Sequence, residues 1–293
     1  SAPISTLNNL AALLFILPYF FFSATAGQIA DKYERSQLIR FIKILEIVIM
    51  LIGSAGFLLG NLWLLLFALF LMGTHSTCFG PIKYAILPEI LKPQELMSGN
   101  ALFQSGTSIA ILVGMILGGA VIASSEGNLL WISITVVTIA CLGYLSSRFI
   151  LPQKVAEPDL KIDWNFFRTS FQTLKYVKSI PVIFMILLGN SWYWFYGATY
   201  LTQIPQLTQQ HLHASENVVS LLLTFFSVGI GVGSLLCRKI GGGEINIKMV
   251  PYGAIGLTLF ALYLAASLAF VPERTGELLS LKDMFTSGMV YYH

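Results

Sequence analysis

The chain holds 293 residues, 56% of them hydrophobic and only 11% charged, with a formal net charge of +3 and three cysteines. A water-soluble domain carries about a quarter of its residues as Asp, Glu, Lys and Arg, so this composition excludes that class. The solvent to reason from is the lipid bilayer.

Eight apolar stretches run over residues 5–26, 37–59, 61–82, 99–123, 129–150, 181–204, 216–237 and 249–271. Each suffices to cross a hydrocarbon layer of about 30 Å as a helix. None alternates polar and apolar residues at period two, which excludes a transmembrane barrel. The expected fold is all-α, a polytopic helical bundle. No cleavable leader is visible ahead of the first stretch, which has no basic flank before it and no small-residue cleavage site after it.

The first span is followed by a charged turn, Gly27 to Ser36, that contains Asp31, Lys32 and Arg35. Gly27 would permit a tight helix end, Asp31 can face a neighbouring helix N-terminus, and the basic residues can meet acidic partners or lipid headgroups. The second span carries Lys43 and Glu46 one helical turn apart, a spacing that suits an intramembrane ion pair. Charge at that depth has to be neutralised or to serve function.

The third span brings His75, with no acidic neighbour in sequence, and Lys83. His75 reads as a packing or hydrogen-bonding residue. Apolar sequence continues to about Leu91, so Lys83 sits in the inner half of a helix, just past a Pro81 expected to bend it. Its ammonium could anchor a lipid phosphate; snorkelling to the headgroups is the plainer alternative.

In the fourth span Asn100, Gln104 and Thr107 recur at helical spacing, and Gly114 and Gly118 are spaced for close approach of another helix. The longest polar interval, 151–179, holds Trp164, Phe167, Phe171 and Leu174 along one face, with Asp163 as the expected N-cap. An amphipathic helix of this kind lies in the membrane interface. Asn190, Tyr193, Gly197, Tyr200 and Ile204 form a stripe on the sixth span, with Gln203 beside it. Two partly polar faces, one from each half, could line a midplane cavity. Gly229, Gly231 and Gly233 lie within a span with no strand before them, which rules out a nucleotide loop and suits helix packing. Cys78, Cys141 and Cys237 sit inside spans without metal or redox spacing, so no metal or cofactor is implied.

If the loop after the first span is cytoplasmic, that side holds fifteen of the Lys and Arg residues and the other side only Arg274 and Lys282. This is the positive-inside pattern of a multi-pass protein of the cytoplasmic membrane. The net charge is that pattern summed and implies no nucleic-acid partner.

The turn with Gly27, Asp31, Lys32 and Arg35 resembles the loop motif of the major facilitator superfamily, although Glu34 stands where that motif usually has a second Gly. The resemblance makes the eight spans helices two to nine of an expected twelve. It sets residues 1–150 as an N-terminal bundle lacking its first helix, 151–179 as a cytoplasmic linker with an amphipathic helix, and 180–293 as part of a C-terminal bundle.

Phe79-Gly80-Pro81-Ile82-Lys83-Tyr84-Ala85-Ile86-Leu87 resembles a run of the bacterial lysophospholipid transporter family within that superfamily, as do Gly99 to Leu102 with Ile111 to Gly114. Lys43 to Ile47 and Trp192 to Ala198 look most like the variety fused to acyltransferase and acyl-activating domains. Gln104 stands where that family is expected to carry Glu.

The family resemblance implies inward movement of lysophospholipids, chiefly lysophosphatidylethanolamine, between leaflets of a bacterial inner membrane by alternating access. Re-acylation by an acyltransferase partner would follow. Lys83, Asn100, Gln104, Asn190, Tyr193 and Tyr200 are the candidate substrate contacts. The alternatives are a drug or metabolite exporter of the same fold, or the membrane portion of an acyltransferase fusion. An integral acyltransferase would need a His-x-x-x-x-Asp signature, and His211 is instead followed five residues later by Glu216.

Overall fold

The protein is described by a computed structural model that covers residues 4–124, 128–152, 154–240 and 249–269. Its helices in chain order are α1 (Ile4–Lys32), α2 (Arg35–Leu58), α3 (Leu62–Ala85), α4 (Leu87–Ile90), α5 (Leu96–Ser124), α6 (Leu129–Ser147), α7 (Phe166–Lys178), α8 (Pro181–Gln210), α9 (Glu216–Ile240) and α10 (Met249–Ala269). There is no strand among the described residues. Among the described residues seven stretches are long and apolar enough to span a membrane, and the bent pair α7–α8 raises that to eight. Each apolar run falls on one of the long helices, with ends differing by a few residues. Lys248, Arg274 and Lys282 lie outside the described residues.

Helix ends follow local chemistry. Glu34 caps α2 by accepting hydrogen bonds from the amides of Ser36 and Gln37, both at 2.9 Å. Gly60 takes a left-handed φ of 60°, which reverses the chain cheaply because it has no Cβ. Asn61 then caps α3 by accepting from Trp63 and Leu64 at 3.0 and 3.2 Å. Asn128 caps α6 in the same way, accepting from Leu130 at 3.0 Å.

The chain divides into two compact units, Ser1–Lys92 with Gly118–Phe184 and Pro93–Leu117 with Met185–His293. In the first unit α1 packs along α3, α2 lies against α3 and α6, and α7 rests on α1. A small apolar core of Ala30, Ile39, Ile42, Ile82 and Ile86 joins α1, α2 and α3 near their charged ends. Around it the helices present large apolar side chains outward, such as Phe41, Leu51, Phe67 and Trp131. That is the arrangement lipid tails demand. In the second unit the Ser105 hydroxyl of α5 donates to the Gly231 carbonyl of α9 at 3.1 Å. The Tyr196 hydroxyl of α8 donates to the Leu257 carbonyl of α10 at 3.2 Å.

Three local expectations need correction. Gly27 lies inside α1, and the chain turns at Tyr33–Glu34 instead. A Cβ at Gly27 would meet nothing within 4 Å, so space does not demand glycine there. Cβ atoms on Gly114 and Gly118 likewise meet nothing among the described residues. Close approach occurs at Gly73, against the Phe15 backbone, and at Gly56, against Leu65. Pro81 lies inside α3, which runs on to Ala85, and the Ile86 amide still finds its acceptor at Ile82.

The third correction concerns α7. Its N-cap is Asn165, which accepts from the Arg168 amide at 3.0 Å. Asp163 instead accepts from the Asn165 amide at 2.9 Å, one step earlier. The apolar stripe is otherwise as the spacing predicts: Phe167 and Phe171 are 69% and 70% exposed. A helix with an open aromatic face of this kind suits the membrane interface.

Candidate functional site

Two groups of polar side chains stand out against the apolar background. The first gathers around Arg35, which opens α2 and is only 6% exposed. Its guanidinium donates to Glu89 on α4, to Asp31 one turn before it at 3.3 Å, and to the Ala85 carbonyl at 3.4 Å. Of the loop residues singled out in sequence, Asp31 and Arg35 are thus brought together. Lys32 points elsewhere, with its ammonium 5.9 Å from the Tyr33 ring centre. Glu89 was not anticipated as the partner, though an acid within two residues of a span's end was a visible signal. A guanidinium shared by two carboxylates and a helix-end carbonyl ties α1, α2 and α4 into one charged joint.

The second group lies within the spans. Lys43 Nζ donates to Glu46 Oε2 at 2.7 Å, the pair anticipated from spacing. His75 of α3 brings its Nε2 to 3.6 Å from the same carboxylate oxygen. Phe79 lies under both side chains: its ring is stacked with His75 at 6.2 Å, and Lys43 Nζ is 5.0 Å from its centre. Gly143 on α6 closes the side, where an added Cβ would meet the Lys43 ammonium at 3.6 Å. A lone charge at the membrane centre costs about 3 kcal/mol on insertion scales, and pairing offsets that cost. No sequence rule reveals the His75–Glu46 approach, because it depends on how α2 packs against α3.

Lys83 lies near the end of α3, half-buried, with its ammonium 5.1 Å from the Tyr84 ring centre. It belongs to the first unit. Asn100, Gln104, Asn190, Tyr193 and Tyr200 all belong to the second.

Those five are not joined to one another by hydrogen bonds among the described residues. Asn100 donates back to its own helix, to the Leu96 carbonyl at 2.8 Å. The buried face of α5 is formed by Ala101, Ser105 and Ser108, which leaves Asn100 and the half-buried Gln104 beside it. On α8, Asn190 and Tyr193 are exposed, while Tyr200 packs its ring 4.7 Å from that of Tyr196. Among the described residues no cluster of His, Cys, Asp and Glu is arranged to hold a metal ion.

The sequence pattern of the Major Facilitator Superfamily matches residues 4–291. The chain is 25% identical over 264 residues to the lysophospholipid transporter LplT of Enterobacter sp. (strain 638), covering 85% of this chain and 62% of that protein. Against LplT of Cronobacter sakazakii it is 24% identical over 273 residues, 88% of this chain and 64% of the relative. Against LplT of Pectobacterium carotovorum it is 26% identical over 244 residues, 82% and 57% of the two chains. The chain therefore spans about three fifths of the length of these curated relatives. No solved structure matches it.

Proposed function

The chain belongs to the Major Facilitator Superfamily, and on that premise we propose that it is part of a multi-pass membrane transporter that carries lysophospholipids from the outer to the inner leaflet. Likeness to lysophospholipid transporters over more than four fifths of the chain carries this reading. The chemistry of the polar residues agrees with it. A single-tailed lipid with a zwitterionic head needs a cation for its phosphate, uncharged donors and acceptors, and apolar wall for its tail. Lys83 offers the first, at the inner end of α3. Asn100, Gln104 and Asn190 offer the second. Tyr193 and Tyr200, with their aromatic neighbours on α8, offer the third.

Alternating access is the mode of transport in this proposal, with the Arg35, Asp31 and Glu89 joint locking one of the alternating states. Re-acylation by an acyltransferase at the inner face would consume the cargo; this partner is an expectation of the family resemblance, and the relatives' names do not speak of it.

The test reconstitutes the full-length protein in vesicles and follows inward movement of labelled lysophosphatidylethanolamine, with Lys83→Ala beside the wild type. Transport by the wild type and a drop of about tenfold in the variant are expected, the loss of one charge-assisted phosphate contact. No movement by the wild type would end the lysophospholipid reading. Unimpaired movement by Lys83→Ala would end the anchor role alone.

A further inference from the structure

The first unit contains a crevice of about 180 Å³ between α1, α3 and the segment that leads into α7. Its walls are Phe22 and Thr25 from α1, Thr74 and Cys78 from α3, and Trp164 and Phe166 from the linker. Thr25 is seven residues before the end of α1 at Lys32, so the crevice lies about two turns inside the charged end of that helix.

The linker is fixed where it forms the outer wall. The Asp163 amide donates to Gln28 Oε1 at 3.0 Å. Phe166 stands edge-on to Phe22 at 4.8 Å between ring centres, and Phe167 to Phe21 at 5.3 Å. The crevice is therefore a built feature of α1 and the linker together.

Its lining is apolar. An apolar cavity of roughly 150 Å³ takes a guest the size of benzene, so this one admits a length of a single hydrocarbon chain and has no room for two. Next to Trp164 are two opposite charges. Asp163 Oδ2 and Arg168 Nε stand 3.8 Å apart, and their side chains are 36% and 67% exposed. A loose, open pair of that kind gains little from its own attraction. It does present the complement of a zwitterion, with a planar guanidinium for a phosphate and a carboxylate for an ammonium.

We propose that this crevice and the Asp163–Arg168 pair form a binding site for a single-chain zwitterionic phospholipid. The tail lies between α1 and α3, and the phosphoethanolamine head rests on Arg168 and Asp163. The site rests on the lysophospholipid reading given above and adds a station for the cargo at the linker, apart from Lys83. A two-chain lipid fits it poorly because its second tail has no slot.

The test uses the full-length protein in phosphatidylglycerol vesicles with lysophosphatidylethanolamine bearing a diazirine at the end of its chain. Irradiation is expected to place adducts on peptides covering 22–29 and 74–78. Thr74→Phe, which fills the crevice, should cut adduct yield steeply, and Arg168→Gln, which removes the phosphate partner, should cut it about tenfold, the size of one lost charge-assisted contact.

A second measurement needs no variant. Lysophosphatidylethanolamine should slow alkylation of Cys78 by N-ethylmaleimide and leave Cys141 and Cys237 unchanged, while dialkyl phosphatidylethanolamine should not protect Cys78. Adducts confined to other segments, or equal protection by the dialkyl lipid, overturn the proposal. Transport assayed in the same vesicles separates the two failures. Transport without adducts in the crevice sinks this site and leaves the transporter reading standing; absence of both sinks the reading and the site with it.

Discussion

Gly73 of α3 lies so close to Phe15 of α1 that a methyl group on it would overlap the Phe15 carbonyl oxygen. The obstacle is backbone, which cannot swing aside as a side chain would. Gly73→Ala should therefore force α1 and α3 apart and cost about 1–3 kcal/mol. Gly80→Ala, on the same helix, meets nothing within 4 Å and should be neutral or stabilise by about 0.5–1 kcal/mol. Thermal unfolding of the two purified variants in one detergent would show this contrast, and equal midpoints would refute the close approach.

Removal of Arg35 leaves Glu89 and Asp31 facing each other without their shared cation. Breaking one side of a largely buried pair typically costs about 3–5 kcal/mol. Arg35→Ala should lose an amount near the low end, because Asp31 is half open to solvent. Glu89→Gln should lose less, since Asp31 and the Ala85 carbonyl still accept from Arg35. A double-mutant cycle on unfolding midpoints checks the pair. Additive losses would mean that the contact carries no coupling.

The Lys43, Glu46 and His75 group should behave as a unit. Glu46→Gln strands the Lys43 ammonium among apolar walls and should cost more stability than Lys43→Met with Glu46→Gln combined, in which neither charge remains. Chemical denaturation of single and double variants in the same vesicles measures the difference. A double variant weaker than both singles would show that the group is held by more than charge compensation.

Glu34 takes the place of the second glycine usual in the loop motif, and it caps α2. Glu34→Ala should cost about 1 kcal/mol, and Glu34→Ser should recover most of it, because a hydroxyl also accepts from the first-turn amides. Unfolding midpoints of the two variants decide the matter; if Ser does no better than Ala, the carboxylate acts through charge and not as a cap.

The spans were legible because lipid imposes a minimum length, and every apolar run falls on a long helix. Which side of a span faces protein was not legible. A soluble helix declares its buried face by contrast with water, but here lipid and protein are both apolar, and the contrast is gone. Hence the glycine pairs of α5 drew attention, while the true close approach at Gly73 did not. For the same reason the ion pair within α2 was readable from spacing, but its neighbour His75, on another helix, was not. The amphipathic stripe of α7 was readable because that helix borders water. Its cap was misread by two residues, since Asp163 and Asn165 are both good caps and the sequence does not rank them.

The hydrogen bonds that hold the interval between α6 and α7 have a mechanical consequence. The Glu157 amide donates to the Asp31 carbonyl at 2.9 Å, and the Asp163 amide is fastened to Gln28. The long polar connector therefore has little slack along its length, for it is stitched to the end of α1 twice before α7 begins.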